Sequence, residues 1–259
     1  MNYKARFNKY RDDSVLLKAE QYAKWTLPQL MVDIAELRGN QGAVLERDYQ
    51  EVGALFTNNL AAKITSLLFP ATRQFFKVAI GEDLRAAARE RGIDEATLAA
   101  RYAKVELAAC ERVFYNASSN QLMTAAKHLV VTGNALLYRD PDTARTVTYG
   151  LRSYTCKRDG LGNVVDGVLW ESIAFEGLPE DVRTSLRLAQ PDKDRNPDSI
   201  PNVDLYTRIQ RIPKGKRWQW RISQEADGVR LDQPSTYPEH RCPYVFLHWN
   251  LAAGEHYGR

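Results

Sequence analysis

The sequence predicts an α+β fold, with an α-rich first half packed against a β-rich, mostly antiparallel second half. Two observations predict it. Apolar residues recur at helical spacing as far as Thr132, and from Thr146 onward β-favouring residues and hairpin signals take over. Strand and helix patterns do not alternate as a parallel sheet requires. The change divides the chain into a helical part, 1–140, and a β-rich part, 141–259.

The strongest helical signal is Asp48–Pro70. Val52, Leu55, Phe56, Leu60, Ile64, Leu67 and Leu68 recur at spacings of three and four, which predicts one buried apolar face. Asp48 is the expected N-cap, and Pro70 stops the helix. Gly53, Ala54, Ala61 and Ala62 keep the flanks small, so another element can approach closely. Asn58 and Asn59 sit mid-helix, where propensity gives no reason for them.

Upstream, residues 1–27 read as a helix ending before Pro28, with Val15, Leu16, Ala19, Tyr22, Ala23 and Trp25 near one side. Gly39–Gly42 is a loop. Downstream, Phe75–Ile80 reads as a short strand closed by Gly81, and Glu82–Arg91 as a charged helix ended by Gly92. A longer helix runs from Asp94 or Glu95 to about Tyr115, with Leu98, Tyr102, Val105, Leu107 and Val113 expected inside. The next, from about Ser119 to Thr132, ends at Gly133-Asn134.

In the second half, Ala135–Tyr138 is a strand. Arg152–Lys157 and Val164–Trp170 flank a turn at Arg158–Asn163, whose Asp159-Gly160 pair is a hairpin signal. Pro179 opens a helix that carries Glu180 and Asp181 in its first turn. Gln190–Asn202 is a polar loop, Val203–Ile212 and Arg217–Ile222 form a second hairpin around Pro213–Lys216, and Tyr244–Trp249 is the last strand.

Composition excludes several classes. With 44% hydrophobic and 26% charged residues, 259 residues can bury a substantial core. A formal charge of +4 gives no bulk polycation, so nucleic-acid binding needs local clustering. Cys110, Cys156 and Cys242 have no paired spacing and read as buried thiols of a reduced, cytosolic protein. Neither a signal peptide nor a membrane-spanning run is visible.

No constellation carries catalysis or a metal. Glu180-Asp181 needs no reason beyond the helix dipole. Asp192–Val203 opens like a calcium loop, but Pro197 replaces the required glycine and Val203 the bidentate glutamate. His240, Cys242 and His248 read as a loop histidine, a loop thiol and a strand histidine. Gly160-Leu-Gly162 is a turn, and Asn116-Ala-Ser118 is a glycosylation acceptor without a secretory context. No phosphate-binding loop, nucleophile elbow or zinc-protease motif occurs, and no cofactor is expected. Lys214–Arg221 combines cations with Trp218 and Trp220 and is the one segment with a physical claim on nucleic acid. In a strand the tryptophans share one face, and Arg217 and Arg221 share the other.

A collinear set of stretches resembles the portal protein (head-to-tail connector) family of short-tailed, T7-like bacteriophages. The first group is Tyr22-Ala-Lys-Trp-Thr-Leu-Pro28, Val52-Gly-Ala54 with Asn58-Asn-Leu-Ala61, Leu67-Leu-Phe-Pro70, and His128–Val131 running into Thr132-Gly-Asn-Ala-Leu-Leu-Tyr138. The second group is Ser153-Tyr154, Arg158-Asp159, Gly162-Asn-Val164, Ile173-Ala-Phe175, Leu178-Pro-Glu-Asp181, Thr236-Tyr-Pro238, Cys242-Pro-Tyr244 and Tyr257-Gly-Arg259. The resemblance implies a non-enzymatic subunit of a dodecameric ring at one capsid vertex, through which double-stranded DNA is packaged and ejected. It implies as partners the terminase large subunit, scaffolding, major capsid, tail or adaptor and internal core proteins, and no membrane. The implied location is the virion, with assembly in the host cytoplasm. Family chains continue past the match to Tyr257-Gly-Arg259, so both halves are expected to form the wing, with stem, clip and crown largely absent. A fragment, a split portal and a decayed prophage copy stay open, and no family contact residue carries over.

Overall fold

A computed structural model describes residues 2–32, 51–70, 73–115, 118–190, 202–215, 217–231 and 234–258. Asp48, the Gly39–Gly42 loop, Lys216 and nearly all of the Gln190–Asn202 loop lie outside the described residues. The helices of the first half are α1 (Tyr3–Tyr10), α2 (Asp13–Trp25), α3 (Val52–Leu68), α4 (Glu82–Glu90), α5 (Glu95–Tyr115) and α6 (Ser118–Thr132). Then follow β1 (Asn134–Arg139), β2 (Thr146–Tyr149), β3 (Tyr154–Arg158), β4 (Val164–Ala174) and α7 (Glu180–Ala189). The chain continues with β5 (Asn202–Lys214), β6 (Arg217–Ala226), β7 (Val229–Arg230), β8 (Ser235–Pro238) and β9 (Tyr244–His248). The expected α+β architecture is the observed one.

Among the described residues all strand pairs are antiparallel. A small sheet has the order β2-β1-β9, and a larger one runs β3-β4-β5-β6-β7 with β8 also on β6. Where α6 ends, Gly133 takes φ of +70°, a conformation that favours glycine, and turns the chain directly into β1. The expected hairpins form at both places, and β4, β5 and β6 run further than the sequence suggested.

The main core lies between α2, α6 and the two sheets. Leu16, Ala19, Ala23, Val131, Leu136, Tyr154, Leu169, Ile209 and Tyr257 share it. The sheets meet closely because Gly167 has no side chain: a Cβ there would lie 2.5 Å from the Phe246 ring. Phe246 stacks edge-on against Tyr154, with centroids 5.7 Å apart. On the same side of the large sheet, α7 buries Leu186 with Phe175, Leu178, Val203, Leu205 and Ala226. On its opposite face, α1 lays Tyr3 and Phe7 on Val168, Tyr206 and Trp170.

Three expectations for the first half need correction. The 1–27 segment is two helices, because the Asp12 carboxylate accepts from the backbone N–H of Ser14 and Val15 and starts α2 afresh. Phe75–Ile80 forms no strand; the Val78 N–H donates instead to Glu106 Oε1 at 2.6 Å. On α5, Glu106 and Cys110 are buried, while Val105 and Leu107 face outward.

Candidate functional site

The chemical candidates are held apart. Glu180 pairs with Arg183 on the same helix, and both acids of that first turn face solvent. His240 and His248 are exposed, and burial pushes the Cys242 thiol up to about 11. Among the described residues no group of three or more His, Cys, Asp or Glu could hold a metal ion. Gly160-Leu-Gly162 is a turn in which the Asp159 side chain accepts from the N–H groups of Leu161 and Asn163. No described helix is long and apolar enough to cross a membrane. The calcium-like segment and Asn116 lie outside the described residues, apart from its last two positions, Asn202 and Val203, which belong to β5.

What the fold does build is a braced body with distinctive surfaces. Asp166 is the central brace. Its carboxylate accepts from Arg6 at 2.8 Å, from Tyr10 at 3.0 Å and from both ends of the Arg208 guanidinium at 3.0 Å. The start of α1 is fixed as well, since the Tyr3 N–H donates to both oxygens of buried Glu225, at 3.0 and 3.1 Å. A carboxylate at a helix N-terminus satisfies an otherwise unpaired donor.

The last residues are pinned with equal care. Asn134 Nδ2 donates to the Gly258 carbonyl at 2.9 Å while its Oδ1 accepts the Gly258 N–H at 2.7 Å, so the amide mimics a strand partner. The Tyr257 hydroxyl donates to the Tyr10 carbonyl at 2.9 Å and accepts the Cys156 N–H at 3.2 Å. Gly133-Asn134 and Tyr257-Gly258, far apart in sequence, therefore form one clamp.

The unexpected surface is on α3. Leu55, Phe56, Leu60, Leu67 and Leu68 are exposed, Leu67 at 81% and Phe56 at 68%. The face the sequence marked as core is thus the outer one. The small side goes in: Ala61 is fully buried, and a Cβ on Gly53 would lie 2.1 Å from the Trp25 carbonyl oxygen. Trp25 is itself 74% exposed, and with Tyr22, Leu60, Leu129 and Trp249 it lines a groove of about 710 Å³ between α2, α3 and α6. Large apolar side chains exposed together on one helix face are a candidate interaction surface.

The Trp218–Trp220 pair does not offer stacked rings to solvent in the way a single-strand platform needs. The Arg211 guanidinium lies 4.7 Å over the Trp218 ring, and Trp220 packs on the main core with its indole N–H donating to the Glu239 carbonyl. Arg217 and Arg221 occupy the opposite face, as the strand alternation required.

The braced α+β body groups no three or more potential metal-ligating side chains among the described residues, and it leaves a large apolar face uncovered. The sequence model of the bacteriophage head to tail connecting protein family matches residues 3–259. The portal protein of Pseudomonas phage phiKMV is 43% identical over 254 residues, covering 98% of this chain and 48% of that protein. The portal proteins of Enterobacteria phage SP6 and Escherichia phage T7 are 31% and 32% identical, covering 98% and 93% of this chain. The chain belongs to the bacteriophage head-to-tail connecting protein family. It spans about half the length of the curated relatives it matches, at 44–48% of each.

Proposed function

We propose that this chain is the wing-forming portion of a phage portal subunit, with 1–140 as its helical part and 141–259 as its β-rich part. Identical subunits close a dodecameric ring at one capsid vertex by heterologous contacts, leaving an axial hole for double-stranded DNA during packaging and ejection. The role is mechanical. Terminase, scaffolding, major capsid, tail or adaptor and internal core proteins are its partners in the virion, which is assembled in the host cytoplasm.

The observation that carries this reading is the family match along residues 3–259. Two features of the body support it. A subunit that transmits force must not shear, and the Asp166 brace and the Asn134–Gly258 clamp tie the two ends of the chain to the large sheet and β1. A subunit that assembles must also keep apolar surface in reserve, which the outer face of α3 does.

The test is assembly of the longest in-frame product of the source gene, followed by negative-stain microscopy and light scattering. Rings are expected from that product, and weak or no assembly from the 259-residue chain alone. A long product that stays monomeric at high concentration, with no rings, overturns the reading.

A further inference from the structure

We infer that the outer face of the large sheet, at the β5–β6 hairpin end, is a docking surface for the phosphate backbone of duplex DNA. The placement follows from strand register. Lys157 on β3 is opposite Asp166 on β4, Asp166 opposite Gln210 on β5, and Gln210 opposite Arg221 on β6, so all four share one face. Two residues further along each strand of the hairpin, then two more, Lys214 and Arg217 close the same face as a register pair. Lys157, Lys214, Arg217 and Arg221 are all exposed.

The only acid in that row is already spent. Asp166 is shared between Arg6 and Arg208 at 2.8 and 3.0 Å and is nearly inaccessible, so it neutralises nothing at the surface. The exposed cations therefore present an uncompensated positive field. Their spread is set by the sheet: three strand spacings separate Lys157 from Arg221, about 14 Å, and four residues separate Arg221 from Arg217, about 13 Å. That is the scale on which phosphates border the roughly 12 Å major groove of a duplex.

A duplex fits better than an acidic protein or a single strand. Between the cations lie Gln210 and Gln219 and half-buried Ile212, with no exposed aromatic or large aliphatic anchor of the kind a stable protein interface centres on. Trp218 and Trp220, which could stack unpaired bases, are on the other face of the sheet. The inference needs the portal reading only to make DNA the polyanion at hand. The surface chemistry stands without it.

The test uses the 259-residue chain and a fluorescein-labelled duplex of roughly three helical turns, with anisotropy read across salt. Four phosphate contacts predict an affinity that falls about 150-fold between about 50 and 200 mM salt, from a slope near −0.9 per phosphate. Arg221→Gln should flatten the slope by about 0.9, and Lys157→Gln/Arg217→Gln/Arg221→Gln by about 2.7. Arg101→Ala/Lys104→Ala, exposed on α5, should leave it unchanged. Circular dichroism of each variant guards against misfolding, and the single substitution decides the matter if the triple one does not fold. No salt-dependent binding, or equal losses from the α5 control, overturns the proposal. Tighter binding of polyglutamate than of the duplex replaces DNA with an acidic protein partner, and tighter binding of poly-dT replaces it with a single strand. None of these outcomes touches ring assembly, which is scored separately on the longer product.

Discussion

Helix α3 and the β5–β6 hairpin carry the clearest periodic patterns in the chain, and the structure treats them in opposite ways. In the hairpin the strand alternation assigns the faces correctly: Trp218 and Trp220 share one, with Trp220 on the core, and Arg217 and Arg221 share the other. In α3 the apolar stripe is outside, and the small residues Gly53 and Ala61 face the protein. The difference lies in what fixes orientation. A strand's faces are set by its register with hydrogen-bonded neighbours, so a slip by one residue would expose the entire core set. A helix has no such lock, and it docks where its backbone can come closest. Among the described residues α2 and α6 lie on the inner side of α3, and there the small residues take the buried side.

If register is what locks the sheet, its braces should be costly to remove. The largest effect is expected for Asp166→Ala, which strands two half-buried guanidinium groups and the Tyr10 hydroxyl at once. We expect a loss of about 3 kcal/mol, at the low end for a buried pair because Arg6 and Arg208 keep some solvent contact. Urea unfolding checks it. A loss below about 1 kcal/mol would break the comparison, since the face would then hold without its central acid.

The next effect is a pH dependence seated in α6. His128 is buried against Gly150, where a Cβ would lie 2.6 Å from its Cε1, and burial pushes its imidazole down to about 4. The unfolded chain therefore takes up this proton first. Its contribution is complete above about 6.5 and is lost as pH falls through the window down to about 4, on the order of 3 kcal/mol in all. Glu171, whose carboxyl burial raises, works in the opposite sense. Comparing the wild type with His128→Leu isolates the histidine: the variant should flatten the stability profile between about pH 6.5 and 4. An unchanged profile would exclude a neutral buried imidazole.

Much of this fold was legible because each signal had a local cause. Pro28, Gly92, Gly133 and the Asp159-Gly160 turn place element ends where they occur, although β4, β5 and β6 run on past the lengths that the sequence suggested. The Asp12 cap was also legible, as a carboxylate two and three residues before the amides it accepts, yet a continuous apolar pattern hid it. The surfaces were harder. Asp166 carries no motif, and its partners Arg6 and Arg208 lie far away on either side in sequence. Asn134 and Gly258 join only once β1 and β9 pair. Val105 and Leu107 were expected inside, and Glu106 was not, because helical spacing cannot say which side of α5 meets the Val78 amide that donates to Glu106.

The smallest stability effects discriminate best between the two sides of α3. Ala61 is fully buried where α3 meets its neighbours, so Ala61→Leu must force side chains or backbone apart, at about 1–3 kcal/mol. Leu55→Ser and Phe56→Ser remove side chains that are already in water, and each should change the stability of this chain by no more than about 0.5 kcal/mol. A sequence-based core assignment demands the reverse, with Phe56→Ser costing several times more than Ala61→Leu. Thermal unfolding of the three variants therefore decides which side of α3 is inside. If the order predicted from the structure is found, the same serine variants in the longer gene product acquire a second use. A loss of ring assembly there, without a loss of stability here, would show that the apolar stripe is kept for contacts this part of the chain does not make by itself.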